Sequence, residues 1–321
     1  MCIIVRWFFI LSVALKKTLL IILKIFVTLL VVLFLYQKIK EDQVGFISAF
    51  QTFRNRSFVL VIVLFLMPFN WFMEVLKWKY SLSPIASISV ANAWVGVLAG
   101  VSLGFVTPHA LGDYFAKVFS LSHQKRRKAL GLILISRMMQ MLPTVLFGSV
   151  ALYVYSSQGD WFSEIPLSFS FPVLSLLGVL LVLLLSVVFL KRNHPKVQDY
   201  LQPVRKMKLK LVAFLAALSI LRYFIFSVQY LLLLSVLDLN RELFMQFMGV
   251  AFMFFAKSVL PTFNFLSDLG IREFSVALFF ESMGVEVGAV IASGLILWLI
   301  NIALPAFIGL FFIPKLKLKN E

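Results

Sequence analysis

Thr107-Pro108-His109-Ala110-Leu111-Gly112-Asp113-Tyr114-Phe115-Ala116-Lys117 interrupts a sequence that is otherwise oily on both sides. A second interruption, Pro261-Thr262-Phe263-Asn264-Phe265-Leu266-Ser267-Asp268-Leu269-Gly270-Ile271-Arg272-Glu273, lies between two further apolar runs. Each holds a proline, then a glycine, with charges of both signs close behind. Charge and broken backbone are costly at membrane depth and are tolerated where they line a cavity or are buried in protein. Two such breaks predict a polar site inside a membrane bundle.

The surrounding composition sets the class. Of 321 residues, 61% are hydrophobic and only 14% are charged, against about 25% in soluble domains. Apolar runs reach the ~20 residues that span a bilayer. The chain therefore reads as all-α: a polytopic integral membrane helical bundle of about eight spans with two broken or re-entrant segments. The expected spans are 18–36, 57–73, 86–106, 128–155, 172–190, 211–237, 243–260 and 287–313. Residues 1–321 read as a single transmembrane domain with no soluble block. The run after Lys16 and Lys17 is too long for a signal-peptide core and reads as a retained first span.

The formal net charge is +16. It clusters in short loops, as the positive-inside rule requires, so it points to membrane orientation and not to nucleic acid. Lys125-Arg126-Arg127-Lys128 and the seven basic residues between Lys191 and Lys210 should face the cytoplasm, with the tail Lys315, Lys317 and Lys319. Residues 156–171 carry Asp160 and Glu164 but no basic residue and should face out. The first half allows two arrangements. If every span crosses, the N-terminus lies outside and Lys38, Lys40, Arg54 and Arg56 lie inside. If residues 86–121 dip in and return at Pro108 and Gly112, the N-terminus lies inside. Loop charge does not separate the two.

The ionisable residues near the breaks are the candidate site. Asp113 follows Gly112 at a helix start, where a carboxylate favours the positive end of the helix dipole, and Lys117 lies one turn on. Lys257, Asp268, Arg272 and Glu273 crowd the second break. Arg272 could offer a planar fork to a phosphate, with Glu273 or Asp268 holding it when empty. Arg137 and Arg222 lie inside expected spans and should seek acidic partners, with Asp113, Asp268, Glu273 and Glu281 as candidates. Pro108, Gly112, Pro261 and Gly270 are read as the structural breaks. Asn301 with Pro305 would mark a kink in the last span.

Several chemistries find no support in the residues. Cys2 is the single cysteine, and His109, His123 and His194 are scattered, so no metal site is expected. No phosphate loop occurs, no cofactor is called for, and the chain reads as a non-enzyme.

Leu260-Pro261 through Leu269-Gly270-Ile271-Arg272-Glu273 resembles the "P…GGLGVRE" signature of the lysylphosphatidylglycerol synthase transmembrane-region, or flippase-like, family. Pro108, Gly112, Asp113 and Lys117 are similar to its "P…GE/D…R" element. Trp71 to Tyr80 resembles its short cytoplasmic exit after the second span. Phe265 to Asp268 replace the usual glycine-rich stretch, and Lys117 stands where arginine is common. No counterpart of the family's aminoacyl-transferase domain is expected.

The resemblance implies lipid handling in a bacterial inner membrane: translocation or binding of an anionic phospholipid or a polyprenyl-linked lipid. Its partners would be the membrane, an anionic lipid headgroup, and a second copy or a lipid-modifying enzyme. Arg272 and Lys117 would contact phosphate, and Asp113 and Glu273 would orient them. Two other readings stay open: an ion-coupled transporter of a small solute, and a non-transporting partner of a membrane glycosyltransferase.

Overall fold

The computed structural model describes residues 29, 32–107, 110–158, 198–237, 239, 241–260 and 265–316. Among these the chain is helical throughout. We number the helices α1 (residues 32–41), α2 (Gln43–Asn55), α3 (Ser57–Ser81), α4 (Val90–Val106), α5 (Leu111–Phe119) and α6 (His123–Gln158). Then follow α7 (Gln198–Arg205), α8 (Leu209–Ser235), α9 (Leu243–Val259), α10 (Phe265–Glu281) and α11 (Gly288–Trp298). A π-helical turn (Leu299–Ala303), α12 (Leu304–Gly309) and a 3₁₀ turn (Leu310–Lys315) complete the last rod. Where a kink is expected at Asn301 and Pro305, the rod carries that π turn, with Asn301 inside it and Pro305 in α12.

Among the described residues, four helices are long and apolar enough to cross a membrane: Ser57–Ser81, His123–Ser157, Leu209–Ser235 and Gly288–Lys315. The expected spans at 86–106 and 243–260 are helices of 17 residues, about 25 Å long and short of a ~30 Å hydrocarbon core. The expected span at 172–190, most of that at 18–36, and the outward segment 159–171 lie outside the described residues. One boundary is corrected: α3 does not stop at Met73 but runs to Ser81, carrying Glu74 and Lys77 into the bundle.

The short helices form two hairpins. α4 and α5 pack antiparallel, with Gly104 and Gly100 against Asp113, and Gly96 against Ser120. Their open ends meet Lys125 and Lys315 around one pocket, so they lie at the end of the bundle where α6 and α8 begin. α9 and α10 also pack antiparallel, with Phe252 on Phe279 at one level and Lys257 beside Asp268 at another. Their open end lies at the opposite end of the bundle, where Arg241 donates to the Met283 carbonyl and Lys38 bonds Glu281 at 2.7 Å. The hydrogen bonds to Glu281 and Glu41 raise the Lys38 pKa above its ordinary value.

Local chemistry holds these ends. The Asp42 carboxylate accepts from Gly45 N–H at 2.9 Å as the N-cap of α2, and from Gly288 N–H at 2.7 Å at the start of α11. One side chain thus satisfies unpaired donors of two helices. Small residues let α4 approach the last rod: Gly309 sits on the Leu98 carbonyl, and Ser102 donates to the Ala306 carbonyl. The larger core cluster joins α2, α3, α6, α8, α9, α10 and α11 around Tyr230, Met253, Phe279 and Phe280.

Candidate functional site

The tip of the first hairpin is built by Thr107 and Ala110. Thr107 Oγ1 accepts from Gly112 N–H at 2.7 Å and donates to the Leu103 carbonyl at 2.7 Å. Ala110, with φ +51°, takes the left-handed conformation that reverses the chain. Gly112 is therefore not the break. It lies inside α5, where a β-carbon would overlap the Leu103 backbone, so its small size lets α4 and α5 touch. Gly270 likewise lies inside α10, after the break. Pro108 and Pro261, the other two expected breaks, and His109 lie outside the described residues.

This tip carries Asp113 and Lys117 into the bundle, where they meet α3 and α6, and α8 joins them through Glu74. Glu74 is the hub. Its carboxylate accepts from Lys117 Nζ at 2.8 Å, Lys77 Nζ at 2.8 Å and Arg222 at 2.7 Å. Asp113 accepts from Lys117 at 3.2 Å and from Arg137. Arg222 Nε donates to Asn70 Oδ1 at 2.9 Å, and Lys77 donates to Gln140 Oε1 at 2.7 Å. The network continues through Gln229, which donates to the Val63 carbonyl at 2.8 Å and accepts from Asn301 at 3.0 Å. Arg222 also lies 4.9 Å above the Trp71 ring, and Arg137 lies 5.2 Å above the Tyr114 ring.

Among the described residues, four cations thus face two carboxylates, a formal excess of two positive charges. Burial grades across the set. The Lys77 and Lys117 side chains are 2% and 4% exposed, whereas Arg222 is 20% and Arg137 is 39% exposed. On α6, Leu130, Leu134 and Met141 are exposed at helical spacing around Arg137. The accessible edge of the cluster therefore opens beside an apolar stripe.

The second break is arranged differently from its expectation. Asp268 does not hold Arg272; it pairs with Lys257 at 3.0 Å. Arg272, 1% exposed, lies with its guanidinium 5.1 Å above the Phe226 ring. Glu273 does not clamp it either. Both Glu273 oxygens are buried without a hydrogen-bond partner and press on Gly294 of α11, where a β-carbon would overlap them. Phe226 lies one turn beyond Arg222 on α8, and Lys257 lies within electrostatic range of both Arg222 and Arg272. The two clusters are therefore neighbours.

The structure brings the candidates Asp113, Lys117, Arg137 and Arg222 together, but what joins them does not stand among the candidates. Glu74, rather than Asp113, Asp268, Glu273 or Glu281, is the carboxylate of Arg222. Asn70, Glu74, Lys77 and Gln140 were missed. The available signal was the i, i+4, i+7 spacing of Asn70, Glu74 and Lys77 on one face of an apolar helix. Among the described residues no three His, Cys, Asp or Glu side chains converge as metal ligands would.

The family model described as the lysylphosphatidylglycerol synthase TM region matches residues 21–309, which include both hairpins and the whole ionic cluster. The chain belongs to the lysylphosphatidylglycerol synthase transmembrane-region family. No curated protein and no solved structure matches it. Within this family member, the segments that resembled the signatures carry Asp113 and Lys117 on α5, Glu74 and Lys77 on α3, and Arg272 and Glu273 on α10.

Proposed function

We propose that this protein binds the phosphate-bearing headgroup of an anionic lipid at the Asp113–Glu74–Arg137–Arg222 cluster and carries it between leaflets. The observation that carries the reading is the excess of two cations in a buried network whose least buried members are arginines. A headgroup phosphate supplies the missing negative charge, and guanidinium forks suit its geometry. Arg137 would turn from Asp113 to the phosphate, while Lys117 and Glu74 keep the empty site assembled. The apolar stripe of Leu130, Leu134 and Met141 favours lipid over a soluble solute, because acyl chains could remain in the bilayer along it.

In a bilayer both hairpins would be re-entrant and would enter from opposite faces, with Asp113 and Lys117 of the first in the cluster and Lys257 of the second within electrostatic range of Arg222. Paired interrupted helices of this kind are the pattern associated with transporter sites near the midplane. The end holding Lys125 to Lys128, Lys206, Lys208 and Lys315 is assigned to the cytoplasm by the positive-inside rule. Residues 38–56 would then lie on the outer side, as the arrangement in which residues 86–121 return requires.

The test is lipid transfer in proteoliposomes, with a fluorescent anionic lipid and a zwitterionic one compared in wild type and Arg137→Gln. The expected result is transfer of the anionic lipid by wild type, reduced at least tenfold in the variant, with thermal stability nearly unchanged. Equal transfer of both lipids, or a variant as active as wild type, would overturn the assignment. Co-purified lipid identified by mass spectrometry would name the headgroup.

A further inference from the structure

We infer that Glu273 is a proton-binding site, and that the proton is the coupling ion of the lipid carrier proposed above. The inference about coupling rests on that reading; the proton site itself does not.

Glu273 is 0% exposed, and neither carboxylate oxygen meets a donor. Elsewhere in the bundle the buried carboxylates are handled differently: Glu74 meets three cations and Asp113 meets two. An isolated ionised carboxylate in an apolar interior is so costly that the group holds a proton instead. The surroundings offer little to offset the charge. α11 carries no titratable residue and presses Gly294 on the carboxyl group. α8 contributes Tyr230, whose hydroxyl donates to the Val290 carbonyl at 3.3 Å. On α9 the titratable group is Lys257, already paired with Asp268. Among the described residues the cation beside it is Arg272, next to Glu273 on α10, and it lies on Phe226.

This arrangement gives the proton two defined states. With the carboxyl O–H intact, Glu273 is neutral and Arg272 rests on the Phe226 ring. When the O–H bond breaks, the proton passes to water and the electron pair stays on Glu273. The new carboxylate then draws Arg272 off Phe226. Phe226 sits one turn from Arg222, so the exchange acts on the helix that carries the lipid site. Gly294 matters in both states, because any side chain there would remove the space that the carboxyl group fills.

The experiment has two arms. Infrared difference spectra of the purified full-length chain, wild type against Glu273→Gln, read the carboxyl group directly without any substrate. The expected result is a protonated-carboxyl C=O band at neutral pH in wild type only, shifted in D₂O. Thermal midpoints should agree within about 2 °C, since the amide is isosteric with the neutral acid. Absence of the band, or a variant that unfolds because Arg272 has lost an ionised partner, overturns the proton site.

The second arm is lipid transfer in proteoliposomes with and without an imposed pH difference. Wild type should respond to the gradient, and Glu273→Gln should show the same rate with and without it. Wild-type transfer indifferent to the gradient overturns the coupling. Absence of any lipid transfer overturns the carrier reading itself, and the infrared band still decides the proton site.

Discussion

Glu74→Gln is the most demanding perturbation of the ionic cluster. The substitution keeps the shape of the side chain but removes the charge that three cations share, at 2.7 to 2.8 Å. It also turns an amide NH₂ toward ammonium or guanidinium groups that cannot accept. Each hydrogen bond to a charged group contributes about 1.5–3 kcal/mol, but contributions at one hub are not additive. Removing one partner of a buried pair costs about 3–5 kcal/mol, because the partner is left uncompensated. Here Lys77 and Lys117 are almost fully buried, so neither ammonium group is solvated directly. The expected loss of unfolding stability is therefore about 4 kcal/mol, close to a thousandfold in the equilibrium. Equilibrium unfolding in mixed micelles, titrated with SDS and followed by tryptophan fluorescence, measures it; Trp71 lies directly beneath Arg222. A second variant, Glu74→Gln/Lys77→Met, removes one stranded cation and should recover about 1–2 kcal/mol of that loss. A single-variant loss below about 1 kcal/mol, or no recovery in the double variant, would refute the claim that Glu74 organises the site.

Two further substitutions test the scaffold. Gly112→Ala places a methyl group on the Leu103 backbone, and should destabilise by about 1–3 kcal/mol by forcing α4 and α5 apart, read as a lowered thermal midpoint. Asp42→Ala removes acceptors from the starts of both α2 and α11, and should cost about 1–2 kcal/mol in the same assay, whereas Asp42→Asn should recover most of it.

The long helices were legible because hydropathy reports them directly. Spans expected from residues 57, 128, 211 and 287 correspond to α3, α6, α8 and the last rod, with ends that differ by several residues. The largest difference, at α3, has a physical cause. Glu74 and Lys77 read as the end of a span because their charge suggests water, yet their charges are satisfied by Lys117, Arg222 and Gln140 from other helices. A pattern along one chain segment does not contain partners 43 to 148 residues away. The same limit applies to Arg272. Its neighbours in sequence, Asp268 and Glu273, looked like its counter-ions, but the helical turn directs Asp268 to Lys257 and Glu273 to Gly294. The glycines show the converse: Gly112 reads as a turn former, yet it lies inside α5, and the left-handed residue before that helix is Ala110.

The balance of charges has a consequence for how such a site could release what it binds. Four bare cations in a low-dielectric interior would be unstable when empty and would hold an anionic headgroup too tightly to let it go. A neutral cluster would have no preference for an anion at all. With two carboxylates among the four cations, Glu74 holds the network together, and on the proposed reading binding would be an exchange of partners at its edge. Arg137 would trade Asp113 for a phosphate and keep the Tyr114 ring on one face. The free energy of binding would then be a difference between two similar pairings and would stay small. Selectivity would come from the excess charge, which an anion satisfies. It follows that neutralising Asp113 should tighten anionic-lipid binding while slowing transfer, because Arg137 would have no carboxylate to return to. A faster-transferring Asp113→Asn variant would contradict the exchange.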